Sequence, residues 1–168
     1  MPKSYALSTS FFHHWVDVLT SSADYSLVVG GIRSANEKDQ LPAEELALAC
    51  DKLKQACLII PLDAAQEQTL QKLSDVIITE FQHGLAAVRS SAIEEDGSDL
   101  SYAGMFETEL GVTASKLEWA VRHCFASKFD IRVFRYMGNH IGASSNDAEG
   151  FALVVMEMID STIAGVCE

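Results

Sequence analysis

Arg89 follows a short apolar run, Leu85-Ala-Ala-Val88, and precedes Ser90 and Ser91. That order reads as a buried strand delivering a guanidinium and two hydroxyls at its end, where ligand-reading side chains concentrate. A guanidinium grips a phosphate through two parallel hydrogen bonds, so phosphate is the anion this group suits. The alternative is a structural ion pair with Glu94, Glu95 or Asp96 just downstream. Farther on, the stretch Ser101 to Thr108 contains Gly104. A glycine lets the backbone approach a ligand closely, and Thr108 offers a hydroxyl or a backbone N–H to a phosphate. An ordinary glycine-containing hairpin is the plainer reading of the same residues. Neither the G-x-x-x-x-G-K-[ST] spacing of a P-loop nor a G-x-G-x-x-G is present in the chain.

Other chemistry finds little support. His13 and His14 occupy consecutive helix positions, and His83, His123 and His140 have no serine or cysteine partner at a motif spacing. No G-x-S-x-G elbow exists, so a Ser-His-Asp hydrolase is not indicated. Cys50, Cys57, Cys124 and Cys167 form no C-x-x-C pair. Cys50 and Cys57 fall on one helix face, where cysteine acts as a small apolar residue. No catalytic residue and no metal ligand is assigned.

The elements that must position Arg89 and Thr108 read as helices first, then strands mixed with helices. Ser8-Thr-Ser10 caps a first helix carrying Phe11, Phe12, Trp15, Val18 and Leu19. Tyr25 to Val29 alternates weakly toward strand and is broken by Gly30-Gly31. Pro42 and two acids open a second helix, with Leu46, Leu53, Cys57 and Ile60 on its apolar face. Asp63-x-x-Gln66 is a capping-box variant for a third, which His83-Gly84 closes. Tyr102 to Gly111 is strand-compatible in its middle, Ser115-x-x-Glu118 caps a fourth helix, and an amphipathic stretch runs through Phe129, Val133 and Tyr136. After a polar loop from Gly138 to Gly150, Phe151 to Ile159 reads as a buried strand. This order predicts the α+β class. Leu53, Leu73, Val88 and Val155 are expected inside one shared core.

Composition supports a globular chain. Its 168 residues suffice for a full core, with 48% apolar and 21% charged residues. No apolar run is long enough to span a membrane, and no apolar segment of signal-peptide type follows Met1-Pro-Lys-Ser4. A net charge of −12 argues against nucleic acid as a partner. Five basic residues nevertheless fall between Lys116 and Arg135, either a local anion-binding segment or a solvated helix face. A reducing cytoplasm is the expected location.

Read together, Ala86-Ala-Val-Arg-Ser-Ser-Ala92, Glu95-Asp96 and Tyr102-Ala-Gly-Met-Phe-Glu-Thr-Glu-Leu110 resemble the nucleotide-binding domain of phosphoenolpyruvate synthases and pyruvate phosphate dikinases. That family reads A-V-R-S-S-A, E-D, then S-F-A-G with E-T or D-T shortly after. Val121 to Phe129 is similar to its V-x-x-C-W-A-S-L-F, Arg132 falls on its D-R-A arginine, and Val154 to Ile159, followed by Asp160-Ser and Gly165-Val166, resembles its V-V-V-Q-x-M-V-D with S-G-V downstream. Pro2 to Trp15 is similar to its opening P-P-G-F-A-I-T-T-x-A-Y. The resemblance covers most of the chain and is strongest from 85 to 166.

The resemblance implies an ATP-grasp fold with a mixed sheet and flanking helices, of which residues 1–168 would be a single partial domain. Residues 1–84 would be its mostly helical segment and 85–168 its strand-rich subdomain. It implies that Arg89 contacts ATP phosphates and that Gly104 and Thr108 belong to the phosphate-side loop. Glu157, Met158 and Ile159 would form the hinge beside adenine, touching it through backbone groups, and Arg132 would be a second anion-side or structural arginine. ATP and Mg²⁺ are the implied cofactors, with the metal ligands outside this chain. The implied activity is phosphorylation of a histidine on a separate mobile domain, the remaining domains of a full-length enzyme being the partners. The family's G-G-K lysine would precede residue 1, Met156 stands where the family commonly has glutamine, Met137 stands where an arginine is common, and Ile131 replaces an acid. These departures keep a non-catalytic nucleotide-sensing module as the alternative. Arg122, outside the matched motif positions, is expected to matter little for ATP binding.

Overall fold

The computed structural model describes residues 2–33, 42–92, 104–140 and 150–160. Four strands, β1 (Ser4–Leu7), β2 (Ala86–Ala92), β3 (Thr108–Val112) and β4 (Phe151–Glu157), form one sheet in the order β1-β4-β2-β3. The helices are α1 (Thr9–Thr20), α2 (Ala23–Arg33), α3 (Ala43–Ile59), α4 (Ala64–Thr79), α5 (Leu117–Ala126) and α6 (Ile131–His140). The α+β class holds. Where a mixed sheet is expected, all three pairings among the described strands are antiparallel. β3 returns directly alongside β2, and β4 then enters between β1 and β2 running against both.

Alternation along the strands explains which face carries the core. Phe151, Leu153 and Val155 on β4, Ala86 and Val88 on β2, and Leu7 on β1 are buried beneath the helices. Across the interface Phe12 of α1 stacks on Phe125 of α5 with centroids 4.8 Å apart. Phe151 meets Phe12 and Phe125 edge-on at 6.0 and 5.7 Å. Leu53, Leu73, Val88 and Val155 all lie in this core, as expected. Cys50, Cys57 and Cys124 are buried as small apolar groups, and burial pushes each thiol up to about 12.

Local signals hold where they are strongest. At α4 the capping box is complete: the Asp63 carboxylate accepts from Gln66 N–H at 2.8 Å, and the Gln66 side chain accepts from Asp63 N–H at 3.0 Å. Residues 25–31 depart from expectation. They are helical, and α2 runs straight through Gly30-Gly31 because Tyr25, Val28 and Ile32 share a face that packs inward. Tertiary packing here outweighs weak strand alternation and two glycines. Strand β1 was not expected, and β3 occupies Thr108–Val112, at the end of the stretch read as strand-compatible in its middle. α6 continues to His140, past Gly138. The Ser115–Glu118 capping box does not form. Ser115 Oγ lies 3.1 Å from Thr113 Oγ1, and Glu118 turns instead to Arg122.

Arg122 has a structural role. It is only 8% exposed, and its Nη1 donates to the carbonyls of Cys57 at 3.1 Å and Ile60 at 2.8 Å. These carbonyls end α3 and have no helical partner of their own. Nε donates to Glu118 at 2.8 Å, and the guanidinium lies 4.8 Å over the Trp15 ring. The basic segment is therefore no uniformly solvated face, since Lys128 is buried too. Arg122→Ala leaves two carbonyls unpaired and should lower stability by about 2–4 kcal/mol. Urea denaturation measures this, with Arg122→Lys falling between the two.

Candidate functional site

Residues alternating with the buried ones occupy the sheet face turned away from the core. On β2, Arg89 is exposed between the buried Val88 and Ser90, and Ser91 is exposed beyond them; Ser90, read as a second hydroxyl beside the guanidinium, alternates to the buried side. Arg89 pairs with Thr108 on β3 and Val154 on β4, so the arginine and threonine side chains leave the same exposed face as cross-strand neighbours. No ion pair or hydrogen bond joins the Arg89 side chain to another described residue. Glu94, Glu95 and Asp96, weighed as its partners, lie outside the described residues.

A β-bulge makes this juxtaposition compatible with the core. Ala86 pairs with Val112 and Val88 with Glu109, so β3 has one extra residue there. Gly111 absorbs it at φ 67°. Glu109 and Val112 can then both face the helices, while Thr108 and Leu110 stay exposed. Glu109 Oε1 lies 2.6 Å from His123 Nδ1, and His123 stacks on Trp119 at 5.0 Å.

The turn before Thr108 is pinned at two points. Phe106 packs its ring on Phe151 at 5.5 Å, and Glu107 N–H donates to Ser127 Oγ at 3.2 Å. Ser127 in turn donates to the carbonyl of Cys124 at 2.6 Å. Gly104 opens this turn at φ 76°, with open space above it. Its need for glycine is the left-handed backbone.

Arg89, read from the sequence as the end of its strand, is instead the middle residue of β2, because the ladder with β4 continues to Ala92; Glu157 lies at one end of the β2–β4 pair, with Met158 and Ile159 just beyond it. The Glu157 N–H donates to the Lys3 carbonyl at 2.8 Å, and the Met158 N–H to the Leu85 carbonyl at 3.0 Å. The Glu157 carboxylate accepts from Gln82 N–H at 2.6 Å and Lys3 N–H at 3.4 Å, and these bonds hold its pKa below the ordinary carboxylate value. Two of the three amides are thus already engaged. Beside them a hollow of about 290 Å³ is lined by His83, Leu85, Met158, Ile159 and Asp160. Sequence reasoning set His83 aside; the signal available was its place before Gly84, in a helix-ending pair where left-handed backbone is common.

Arg132 is placed elsewhere, at the start of α6. Its Nε donates to Asp130 at 3.0 Å, and Lys54 Nζ reaches the same carboxylate at 3.2 Å. Among the described residues, no three His, Cys, Asp or Glu side chains converge in a way that fits a metal ion. No Mg²⁺ site is assigned to them, and no step is derived through one. No described helix is long and apolar enough to cross a membrane.

The family described as pyruvate phosphate dikinase, AMP/ATP-binding domain, matches residues 1–168. The prodigiosin synthesizing transferase PigC of Serratia marcescens is 33% identical over 117 residues, covering 69% of this chain and 12% of that protein. Phosphoenolpyruvate synthase of Escherichia coli is 32% identical over 123 residues, covering 71% of this chain and 15% of that protein. For phosphoenolpyruvate synthase of Aquifex aeolicus the figures are 29% over 138 residues, 81% and 16%. The chain therefore spans only a small part of the length of the curated relatives it matches.

Asp130 supplies a test of the α6 end. Burial alone would raise its pKa, but hydrogen bonds from the Arg132 side chain and backbone and from Lys54 hold it down at about 2. A depressed carboxylate contributes stability that is complete above its ordinary pKa of 3.8 and lost as pH falls toward about 2. Asp130→Asn should lower the melting temperature at pH 7 and shrink the further loss between pH 4 and pH 2, measured by thermal denaturation across pH.

Proposed function

Since the chain belongs to the pyruvate phosphate dikinase AMP/ATP-binding domain family, we propose that it is the ATP-holding part of a dikinase-like phosphotransferase. The observation that carries this reading is the pairing of an exposed Arg89 with Thr108 on the sheet face that bears no core. Three residues of strand separate Arg89 from Ala86 and its partner Glu157, about 10 Å of extended chain. A nucleotide laid along β2 and β4 would put its base in the hollow beside Met158 and Ile159 and its phosphates at Arg89, Thr108 and the Gly104 turn. Arg132 supports the loop side through Asp130 rather than by direct contact. In the whole enzyme a histidine nitrogen on a separate domain would attack the triphosphate, an N–P bond forming as a P–O bond breaks. Such transfer depends chiefly on positioning and charge stabilisation. Mg²⁺ would be held by groups beyond the described residues, and the setting is cytoplasmic. The relatives carry different names, so the reading stops at the ATP side and assigns no final acceptor.

A second reading, a non-catalytic nucleotide-sensing module, is favoured by Met156, which stands on the uncovered face opposite Ala87 and Ser4. Incubating the full-length protein from its native source with labelled ATP separates the two: acid-labile, base-stable label on protein supports the transferase.

Arg89 provides the direct test. A charge-assisted hydrogen bond to phosphate is worth roughly 10- to 150-fold in affinity, so Arg89→Ala should weaken ATP binding by that order. Arg89→Lys keeps the charge without the two-pronged geometry and should fall between. Lys72→Ala, on the exposed side of α4, should change little. Titration of ATP by chemical-shift perturbation at fixed ionic strength reads all four proteins; equal binding by Arg89→Ala and wild type would place the site elsewhere.

A further inference from the structure

His83 is the one non-glycine among the described residues with positive φ, at 64°. It sits in the short turn between α4 and β2, and Gly84 follows at 61°. Reversing the chain there does not require an imidazole, since glycine or asparagine adopts this backbone more readily. The surroundings nevertheless hold His83 in place. Gln82 N–H is fixed by Glu157, Gly84 N–H donates to the Phe81 carbonyl at 3.1 Å, and Met158 N–H ties Leu85 to the end of β4. Strain retained at such a turn clusters at ligand clamps, and here it borders a hollow. The hollow is lined by the apolar Leu85, Met158 and Ile159 together with His83 and Asp160. A flat heteroaromatic ring fits this lining better than a sugar or a phosphate, because most of the lining residues are apolar and one of them carries a planar ring able to stack.

Resting on the nucleotide reading above, we propose that His83 is the base-recognising side chain of the site, its imidazole stacking on the purine while Arg89 holds the phosphates. The strained turn serves to present that ring.

The test uses the whole chain and two probes, ATP and inorganic tripolyphosphate, which has the phosphates and no base. His83→Asn tolerates the left-handed backbone and removes the aromatic ring; His83→Gly also relieves the strain. Both should lose ATP affinity at least roughly fivefold, the lower end of what base stacking contributes. Both should bind tripolyphosphate like wild type, whereas Arg89→Ala should lose both probes. His83→Gly should melt at or above the wild-type temperature, so its lost binding is not unfolding. Wild-type ATP affinity in His83→Asn overturns the inference and leaves the nucleotide reading standing. A His83→Gly protein that melts lower yet binds ATP normally also overturns it, giving His83 a packing role. If wild type takes up neither probe, the nucleotide reading itself falls, and this inference with it.

Discussion

The stacked Phe12–Phe125 pair, with Phe151 edge-on to both, clamps α1, α5 and the central strand β4 into one unit. The geometry of the opposite sheet face follows from it. Side chains alternate along a strand, so burying Phe151, Leu153 and Val155 turns Ala152, Val154 and Met156 outward. Register carries the same division into β2, where Val88 goes in and Arg89 out. A slip of one residue would drive a guanidinium under α5 and expose Val88. Burying an unpaired charge is far costlier than exposing a valine. The position of the candidate phosphate-gripping residue is thus enforced by aromatic packing on the other side of the sheet.

Local rules made part of this legible in the sequence. The Asp63–Gln66 box, the shared face of Cys50 and Cys57, and the apolar run before Arg89 each depend on a few neighbouring residues, and each is found in the structure. What was missed depends on distant contacts. Ser4–Leu7 becomes a strand only because β4, near the far end of the described chain, supplies its partner. Residues 23–33 become a helix because α3 and α6 receive their inner face, with Tyr25 set 6.4 Å from Phe134. Within the candidate site, Arg89 and Thr108 were readable as residues, but their apposition requires a register that includes the Gly111 bulge. His83 was passed over because strain is a property of backbone angles, which residue type alone does not report.

Arg89 and Arg122 show how little residue type decides. Both are arginines near the sheet, on β2 and on the helix packed against it. Arg122 meets two helix-terminal carbonyls, a carboxylate and an indole ring, and is consumed by the fold. Arg89 is paired across the sheet with a threonine and a valine, Thr108 and Val154, and lies exposed on the face away from the core. Counting basic residues between 116 and 135 therefore says little about anion binding, because burial and hydrogen bonding have already claimed two of them, Arg122 and Lys128.

The bulge at Gly111 also bears on how this chain behaves at high concentration. β3 is an outer strand of the sheet among the described strands, and an outer strand offers unpaired N–H and C=O groups to any passing extended chain. Leu110, 64% exposed beside the bulge, would add an apolar lure to that edge. A left-handed glycine interrupts the ladder within two residues of it and increases the local twist, so an incoming strand finds only a short regular stretch to dock on. The extra residue that lets Glu109 and Val112 share a face thus doubles as protection against edge-to-edge self-association.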